Sequence, residues 1–446
     1  MGPAFAKTHP HESVRMCLAY LTITLYASRD RSSSREVALK VLVVGAGPAG
    51  ATTALLLARS GVGVKLLERE TSFERVFRGE GLMPLGIDAL LQMGLQDTLE
   101  SVPCRLVRSW DIWIDGEESF VIPEPVEELG TRAMRVVSQP VLLERVVEEA
   151  SQHANFAFER GVRVHDLIRD PAGRVVGAEL ETENGPREER ADLVIGCDGR
   201  GSLVRTRADL ALELLPEQYD VLWYKLPAPE ALREGCSIMI AVAAGRHPAI
   251  CYTSWDGRLQ YGLVMPKGCL KEMREKDWVS ESVGSAPAWL AEHVLDNRDE
   301  IEGPVRLNVL VGGAPRWTAP GVLLLGDAAH PMSPVRAQGI NLALRDAVVA
   351  VNHLAPALRE DGGAQALDAA CCAVQAEREP EIVRSQKLQR QEARGQGDAR
   401  SGSWRFGFAK RGARLLGRYR WAQNVWLKRQ RDLRFGSTEV KLKILP

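Results

Sequence analysis

The 446-residue sequence predicts an α/β protein: a Rossmann-type nucleotide-binding domain with an inserted antiparallel sheet and a helical, basic C-terminal region. Three observations predict it. First, Val41-Leu42-Val43-Val44 runs into Gly45-Ala46-Gly47-Pro48-Ala49-Gly50 and then into an apolar stretch from Ala51 to Ala58. Consecutive aliphatic residues suit a strand covered on both faces, and the segment after the glycines has helical composition. Second, from Tyr219 to Pro266 the strand–helix alternation gives way to several long alternating strands. Third, a buried-strand pattern returns at Gly321-Val322-Leu323-Leu324-Leu325-Gly326-Asp327, followed by a long helix from Gly339 to Leu358. A pattern that lapses and resumes marks one domain inserted into another.

Composition narrows the class. Apolar residues make up 45% and charged residues 26%, as in ordinary soluble globular proteins. The net charge of −1 gives no reason to expect a nucleic-acid partner, but the charge is uneven: residues 384–446 carry seventeen Lys/Arg against four Asp/Glu. The eight cysteines show no C-x-x-C pair and no zinc spacing, so no metal site is expected, and they read as core residues of a reducing, cytoplasmic compartment. No stretch reaches the ~18 apolar residues of a membrane-spanning helix. The best candidate, Met16 to Ala27, is short and broken by Thr22 and Thr24, and it fits a secretory signal poorly. Residues 1–36 are therefore read as an appendage, disordered or an over-long start. Residues 37–215 and 316–360 are read as the two parts of the nucleotide domain, 216–315 as the substrate domain, and 361–446 as the basic helical region.

In chain order, Gly45, Gly47 and Gly50 allow a tight turn in which Pro48 and Ala49 start a helix, whose amides and positive dipole end can hold a pyrophosphate. The strand Val62 to Leu67 then delivers Glu68, with Arg69 beside it, at the distance of an acid that accepts ribose hydroxyls. Phe77-Arg78-Gly79-Glu80-Gly81-Leu82-Met83-Pro84 leads into a helix through Leu95, which Pro84 can start. Leu106–Ile114 and Ser119–Ile122 read as strands around Asp115-Gly116, and Ser138-Gln139-Pro140 caps a helix to Ala150. Short strands and hairpins at Asp170–Gly173 and Glu183–Gly185 lead back to Ala191–Gly196. Within the inserted sheet the strands are Val221–Leu226, Cys236–Val242, Ala249–Trp255 and Arg258–Met265, the last two joined at Asp256-Gly257. Helices at 270–279 and 287–297 and a strand at 305–311 follow.

Two further motifs resemble something specific. Ile195-Gly196-Cys197-Asp198-Gly199 through Arg205 is similar to the Asp-Gly fingerprint of single-component flavoprotein hydroxylases. Gly326-Asp327-Ala328-Ala329-His330-Pro331, with Pro334, Gln338-Gly339-Ile340-Asn341 and Asp346, resembles their Gly-Asp fingerprint. With the first glycine motif, residues 37–360 resemble the para-hydroxybenzoate hydroxylase-like FAD monooxygenases, which include ubiquinone-pathway and antibiotic-tailoring hydroxylases. The resemblance implies FAD as cofactor and NADPH or NADH as a transient co-substrate. It also implies oxygen transfer to an aromatic substrate through a flavin C4a-hydroperoxide. Asp327 would accept ribityl hydroxyls, and Pro334, Gln338, Gly339, Ile340 and Asn341 would open a helix toward the flavin's pyrimidine edge, where its dipole stabilises reduced flavin. Asp198 and Gly199 would form a corner near the pyrophosphate, with Arg205 a phosphate or structural partner, while Arg78 and Gln139 would lie along the cofactor. The lesser alternative for Asp198 is that it only caps the next helix, and His330 is expected to pack and hydrogen-bond locally.

Relatives usually carry a glycine at 336 or 337, where this chain has Arg336 and Ala337. Arg336 either adds charge near the flavin, guards substrate entry, or faces solvent. Substrate-wall candidates on the inserted strands are Trp223, Tyr224, Tyr252, Trp255 and Tyr261. Alternation allows at most one of Trp223 and Tyr224 to face the pocket, and no general base is identifiable. The tail from Ser403 to Phe435 mixes tryptophans with Lys/Arg, and it reads as a helix packing on the acidic remainder or a second subunit, or as a peripheral contact with an anionic membrane. Rival functions are a same-fold flavin oxidoreductase that does not use oxygen productively, such as an isoprenoid double-bond reductase, and a non-catalytic flavin-binding redox module. A W-x-W-x-I-P motif is absent, which disfavours a halogenase.

Overall fold

Val41–Val44, completely apolar, lies inside a six-stranded sheet of order Thr318–Ala319, Val322–Leu324, Leu193–Gly196, Val41–Val44, Val64–Glu68, Phe156–Arg160. All neighbours are parallel except the first pair. The computed structural model describes residues 41–446 apart from 75–78, 217–218, 234, 270–272, 274, 360–361, 401–406, 408–410, 413–418 and 445–446, and only the backbone of 394–400. The appendage 1–36 and the tail residues Trp404, Phe406, Phe408, Leu415 and Leu416 lie outside the described residues.

Three helices position the site. Helix α1 (Pro48–Arg59) follows the first strand, α2 (Gln338–Arg359) follows the third motif, and α3 (Gly363–Arg400) packs on α2. Leu55, Leu57, Leu342, Val348, Val349 and Leu354 are fully buried against the sheet, each stabilising by roughly 1.5–3 kcal/mol. Pro48 sits at the first turn of α1, where a missing N–H costs nothing.

The second sheet has nine strands. Its main path runs Glu302–Leu307, Tyr219–Pro227, Arg258–Pro266, Ala249–Thr253, Cys236–Val242, Cys104–Ile114, Arg135–Val137, Gly81–Leu82, with Glu117–Pro123 paired to Cys104–Ile114. Four of these strands precede residue 140, so the sheet draws on chain from both sides of residue 216. It is antiparallel except where Cys104–Ile114 meets Cys236–Val242. Trp278–Ser282 and Ala288–Asp296 cover its outer face; the second falls within the expected 287–297, while part of the expected helix 270–279 lies outside the described residues. The C-terminal region is helical, with α4 (Arg420–Arg429) and the short helix Arg431–Phe435 after α3. Among the described residues no helix is long and apolar enough to cross a membrane.

Candidate flavin site

The three motifs meet at the carboxyl ends of the parallel strands, where ligands collect in an open α/β sheet. Gly45 has φ +97°, and a Cβ there would sit 2.6 Å from the Cys197 carbonyl oxygen, so the first glycine is pressed against the second motif. A Cβ on Gly50 would lie 1.9 Å from the Gly45 carbonyl oxygen, closing the turn. Gly47 differs: a Cβ there would meet nothing within 4 Å. The N-terminus of α1 thus opens into a cradle bounded by backbone, which suits a pyrophosphate.

Glu68, 7% exposed at the end of its strand, accepts from the Ala46 amide at 3.0 Å and the Glu70 amide at 3.1 Å. Its carboxylate is thereby fixed beside the glycine turn, as a carboxylate able to accept from ribose hydroxyls. Arg69 points outward and pairs with Glu70. Gln139 starts its helix and is buried, and Arg78 lies outside the described residues.

Asp198 accepts from Ser202 Oγ, from the Leu203 amide at 2.7 Å and from the Val204 amide at 3.1 Å. It caps the helix Leu203–Arg207 and fixes the corner at Gly199, whose φ is +80°. Arg205 donates to the Ala328 carbonyl at 2.8 Å and the Arg200 carbonyl at 3.0 Å, tying the second motif to the third. Burial lowers its guanidinium pKa, with Asp198 opposing. Burial also pushes the Cys197 thiol far up, so it stays a neutral packing group.

Gly326, at φ +59°, packs on α1: a Cβ there would sit 3.2 Å from Ala49 Cβ. Asp327 Oδ1 lies 3.8 Å from the Cβ position of Gly339, which brings the carboxylate to the N-terminus of α2. Pro334 opens the loop before that helix, and Ile340 is nearly buried. Asn341 accepts from the Met83 amide at 2.8 Å and donates to the Gly81 carbonyl at 3.0 Å and the Ala337 carbonyl at 2.6 Å. Gln338 donates to the Arg336 carbonyl at 2.9 Å and the Leu433 carbonyl at 2.8 Å, and its Oε1 is buried without a partner among the described residues.

Beneath this loop runs a buried ionic chain that sequence reading did not find. His330 Nε2 lies 2.7 Å from Asp346, Asp346 accepts from Arg378 at 2.8 Å, Arg378 pairs with Glu381, and Arg345 donates to Glu381 at 2.9 Å. Asp346 also accepts from the Gly326 amide at 3.1 Å, which anchors the third motif from below. His330 packs on Trp317 at 4.9 Å between centroids, in line with its expected local role. The Arg378 and Glu381 members sit on α3, outside the motifs, and only helical spacing could have hinted at them.

Arg336 does not face solvent. Its guanidinium lies between Trp110 and Trp426, and its Nε donates to Glu392 at 2.9 Å. The C-terminal segment therefore packs on the flavin loop, while Tyr419 and Trp421 remain exposed.

Two of the five wall candidates are corrected. Tyr224 and Tyr261 stack at 5.0 Å, are fully buried, and hydrogen-bond to Ser282 beneath the outer helices, which makes them core. Trp223 and Tyr252 occupy the opposite face, 6.4 Å apart. That face turns toward the flavin loop, since Tyr219, on it by alternation, bonds Ser333 at 2.6 Å. The register lays Ile112, Ile240, Ile250, Gly262 and Trp223 side by side across it. A Cβ on Gly262 would come within 2.7 Å of the Trp223 ring, so the indole lies flat over that glycine.

Residues 38–381 match the family described as FAD binding domain. The chain belongs to that family. Its cofactor is FAD, and it is an oxidoreductase of the FAD-dependent monooxygenase group. Among family relatives, 6-methylpretetramide 4-monooxygenase of Streptomyces rimosus is 35% identical over 366 residues, covering 79% of this chain and 83% of the relative. Digeranylgeranylglycerophospholipid reductase 1 of Methanopyrus kandleri is 30% identical, covering 72% of this chain and 81% of its own. Among solved structures, p-nitrophenol 4-monooxygenase from Pseudomonas putida matches with TM-score 0.75 at 19% identity, covering 90% of this chain and 99% of its own. PqsL of P. aeruginosa bound to 2-aminobenzoylacetate matches with TM-score 0.69 at 24% identity, covering 82% and 98%. At these identities the structures establish the shared fold.

Proposed function

We propose that the protein hydroxylates an aromatic, polycyclic small molecule, with NADPH or NADH as reductant and oxygen as co-substrate. The observation that carries this is the partly open apolar row Ile112–Ile240–Ile250–Gly262–Trp223, on the sheet face turned toward the loop before α2. A flat ring system suits a wall built from aliphatic side chains and an indole laid parallel to the sheet. The name of the Streptomyces rimosus relative, a 4-monooxygenase, favours oxygen transfer.

FAD, when bound, supplies the redox and oxygen chemistry. This chain's residues do the rest. The Gly47 cradle and Glu68 hold the nucleotide end, and Asp327 with the N-terminus of α2 holds the ring end. Asp198, Gly199 and Arg205 set the corner between them. The sheet face excludes water and orients the substrate. Residues 216–315 supply most of that face, and 37–215 with 316–360 hold the nucleotide.

The resemblance to an isoprenoid-lipid reductase keeps a second reading in play, hydride delivery to a double bond without oxygen. One experiment separates them. Purified protein is supplied with NADPH and 6-methylpretetramide or hydroxyanthraquinones, with and without oxygen, and the products are analysed by mass spectrometry. A product heavier by one oxygen atom, formed only aerobically, supports hydroxylation. A product heavier by two hydrogens, formed anaerobically, supports the reductase.

A further inference from the structure

Next to the apolar row, the inner face of the sheet carries a second row of different chemistry. Lys225, Gln260 and Tyr252 lie opposite one another on adjacent strands, so all three project from the same side. Gln260 is 2% exposed and its Oε1 has no partner among the described residues. No described residue hydrogen-bonds to the Tyr252 hydroxyl either. A buried amide oxygen without a partner costs about 1–3 kcal/mol, so such an atom on the sheet face turned toward the loop before α2 points to a ligand that donates to it.

Facing this row is Glu80, one residue before Gly81, whose Cβ position lies 2.9 Å from Ala337 Cβ in the flavin loop. Glu80 is 6% exposed; its carboxylate accepts from Ser254 Oγ at 2.7 Å and lies 3.1 Å from Lys225 Nζ. Lys225 also donates to Ser254 at 2.9 Å and to Asp256 at 3.0 Å, and Asp256 sits at the hairpin turn with a route to water. A carboxylate thus sits between the loop before α2 and this row, held in place by a hydroxyl and an ammonium. A purely structural anchor for this loop already exists in Asn341, which bonds Gly81 and Met83.

We propose that Glu80 is the base that takes the hydroxyl proton of a phenolic or enolic substrate ring seated against Tyr252 and Gln260. This rests on the hydroxylase reading above. The substrate O–H bond breaks, the proton passes to a Glu80 carboxylate oxygen, and the electron pair stays on the substrate oxygen as phenolate. That raises electron density at the ring carbons ortho and para to it, where an electrophilic oxygen is accepted. Ser254 and Lys225 keep the carboxylate in place, and Gln260 Oε1 accepts from a neighbouring hydroxyl of the same ring. Burial pushes the Glu80 carboxyl pKa up, against the pull of Lys225 and Ser254, which moves it toward the range a base needs. The other groups facing it are Asp256, which adds to the rise, and the Tyr252 hydroxyl and Cys236 thiol, both held neutral by burial.

Alizarin, a dihydroxyanthraquinone whose absorbance moves to longer wavelength when a hydroxyl ionises, tests this without turnover. Bound to the FAD-loaded wild-type protein at a pH where the free dye is neutral, it should show the ionised spectrum. With Glu80→Gln it should bind within about threefold of wild type and stay neutral, and aerobic turnover of 6-methylpretetramide should fall about 100-fold at unchanged KM. An ionised bound spectrum in Glu80→Gln overturns the assignment even where hydroxylation itself is confirmed. If Glu80→Gln fails to retain FAD, Glu80→Ala is read in its place, and undiminished ionisation there overturns the proposal equally. Failure of the wild-type protein to bind any hydroxyanthraquinone removes the chamber reading, and this one with it.

Discussion

The guanidinium carbon of Arg336 lies 3.9 Å from the ring centroid of Trp110, and the Trp426 ring packs on the same group at 4.4 Å. Arg336 has φ +58° and Ala337 φ +50°, the left-handed region where glycine is the low-cost residue. The loop before α2 thus keeps the backbone shape a glycine would give, at a cost of roughly 1–2 kcal/mol per residue. The clamp offsets that cost: a cation–π contact contributes about 0.5–2 kcal/mol, and Glu392 adds an ion pair. Trp110 Nε1 donates to Glu124 at 2.7 Å and Arg434 pairs with the same carboxylate, so the C-terminal segment is part of the loop's seat.

Arg336→Gly should relieve about 1–2 kcal/mol of strain and lose a clamp of similar size, so stability should change by no more than about 1 kcal/mol. Denaturant unfolding gives the stability change, and dilution of the holoenzyme should show faster FAD release. Trp426→Ala should reproduce the faster release without touching the loop's own sequence.

Ala337→Gly should have the opposite sign. Strain relief of about 1–2 kcal/mol exceeds the ~0.4–1 kcal/mol of added chain entropy, so the variant should gain about 0.5–1 kcal/mol and melt at a higher temperature. A lower melting temperature would show that the Ala337 methyl against Gly81 matters more than backbone strain.

Asp346 and Glu381 govern acid stability. Burial pushes both carboxyls up, but His330 and Arg378 around Asp346, and Arg378 and Arg345 around Glu381, hold them below their ordinary values. Carboxyls depressed in the folded state stabilise above their unfolded pKa of about 4, and that stability is lost as pH falls below it. Wild-type stability should therefore drop steeply below about pH 4. Asp346→Asn should flatten that drop and cost about 3–5 kcal/mol at neutral pH, because the buried Arg378 is left with Glu381 alone and His330 loses its carboxylate. Circular dichroism melts across pH measure both effects.

Tyr224→Phe should lower stability by about 1 kcal/mol through the lost Ser282 bond and leave KM unchanged. Trp223→Leu should raise KM or change substrate preference with little loss of stability. Equal KM effects from the two would place the chamber on the wrong face of the sheet.

Asp327→Ala should purify colourless or release FAD readily, read as flavin absorbance per protein. Wild-type flavin content would remove Asp327 from the cofactor's partners.

The nucleotide fold was legible in the sequence because its determinants are local: four aliphatic residues before Gly45, an open Gly47, and Glu68 at the end of the next strand. The motifs around Asp198 and Asp327 were equally legible as patterns, although the capping bonds of Asp198 were only one of two readings until its partners were seen. Facing was not legible. Alternation separates Trp223 from Tyr224, but which of them meets the chamber depends on the side of the sheet that Trp278–Ser282 and Ala288–Asp296 cover, a long-range packing choice. The same holds for Arg336, whose partners Trp110, Glu392 and Trp426 come from three distant segments, and for Glu80, whose carboxylate finds Lys225 and Ser254 more than a hundred residues along the chain. Sequence by itself determined the elements and the cofactor they grip, because hydrogen-bonding period and turn chemistry act over a few residues. Tertiary structure alone decided which side chains share a cavity, because burial is settled between segments far apart in the chain.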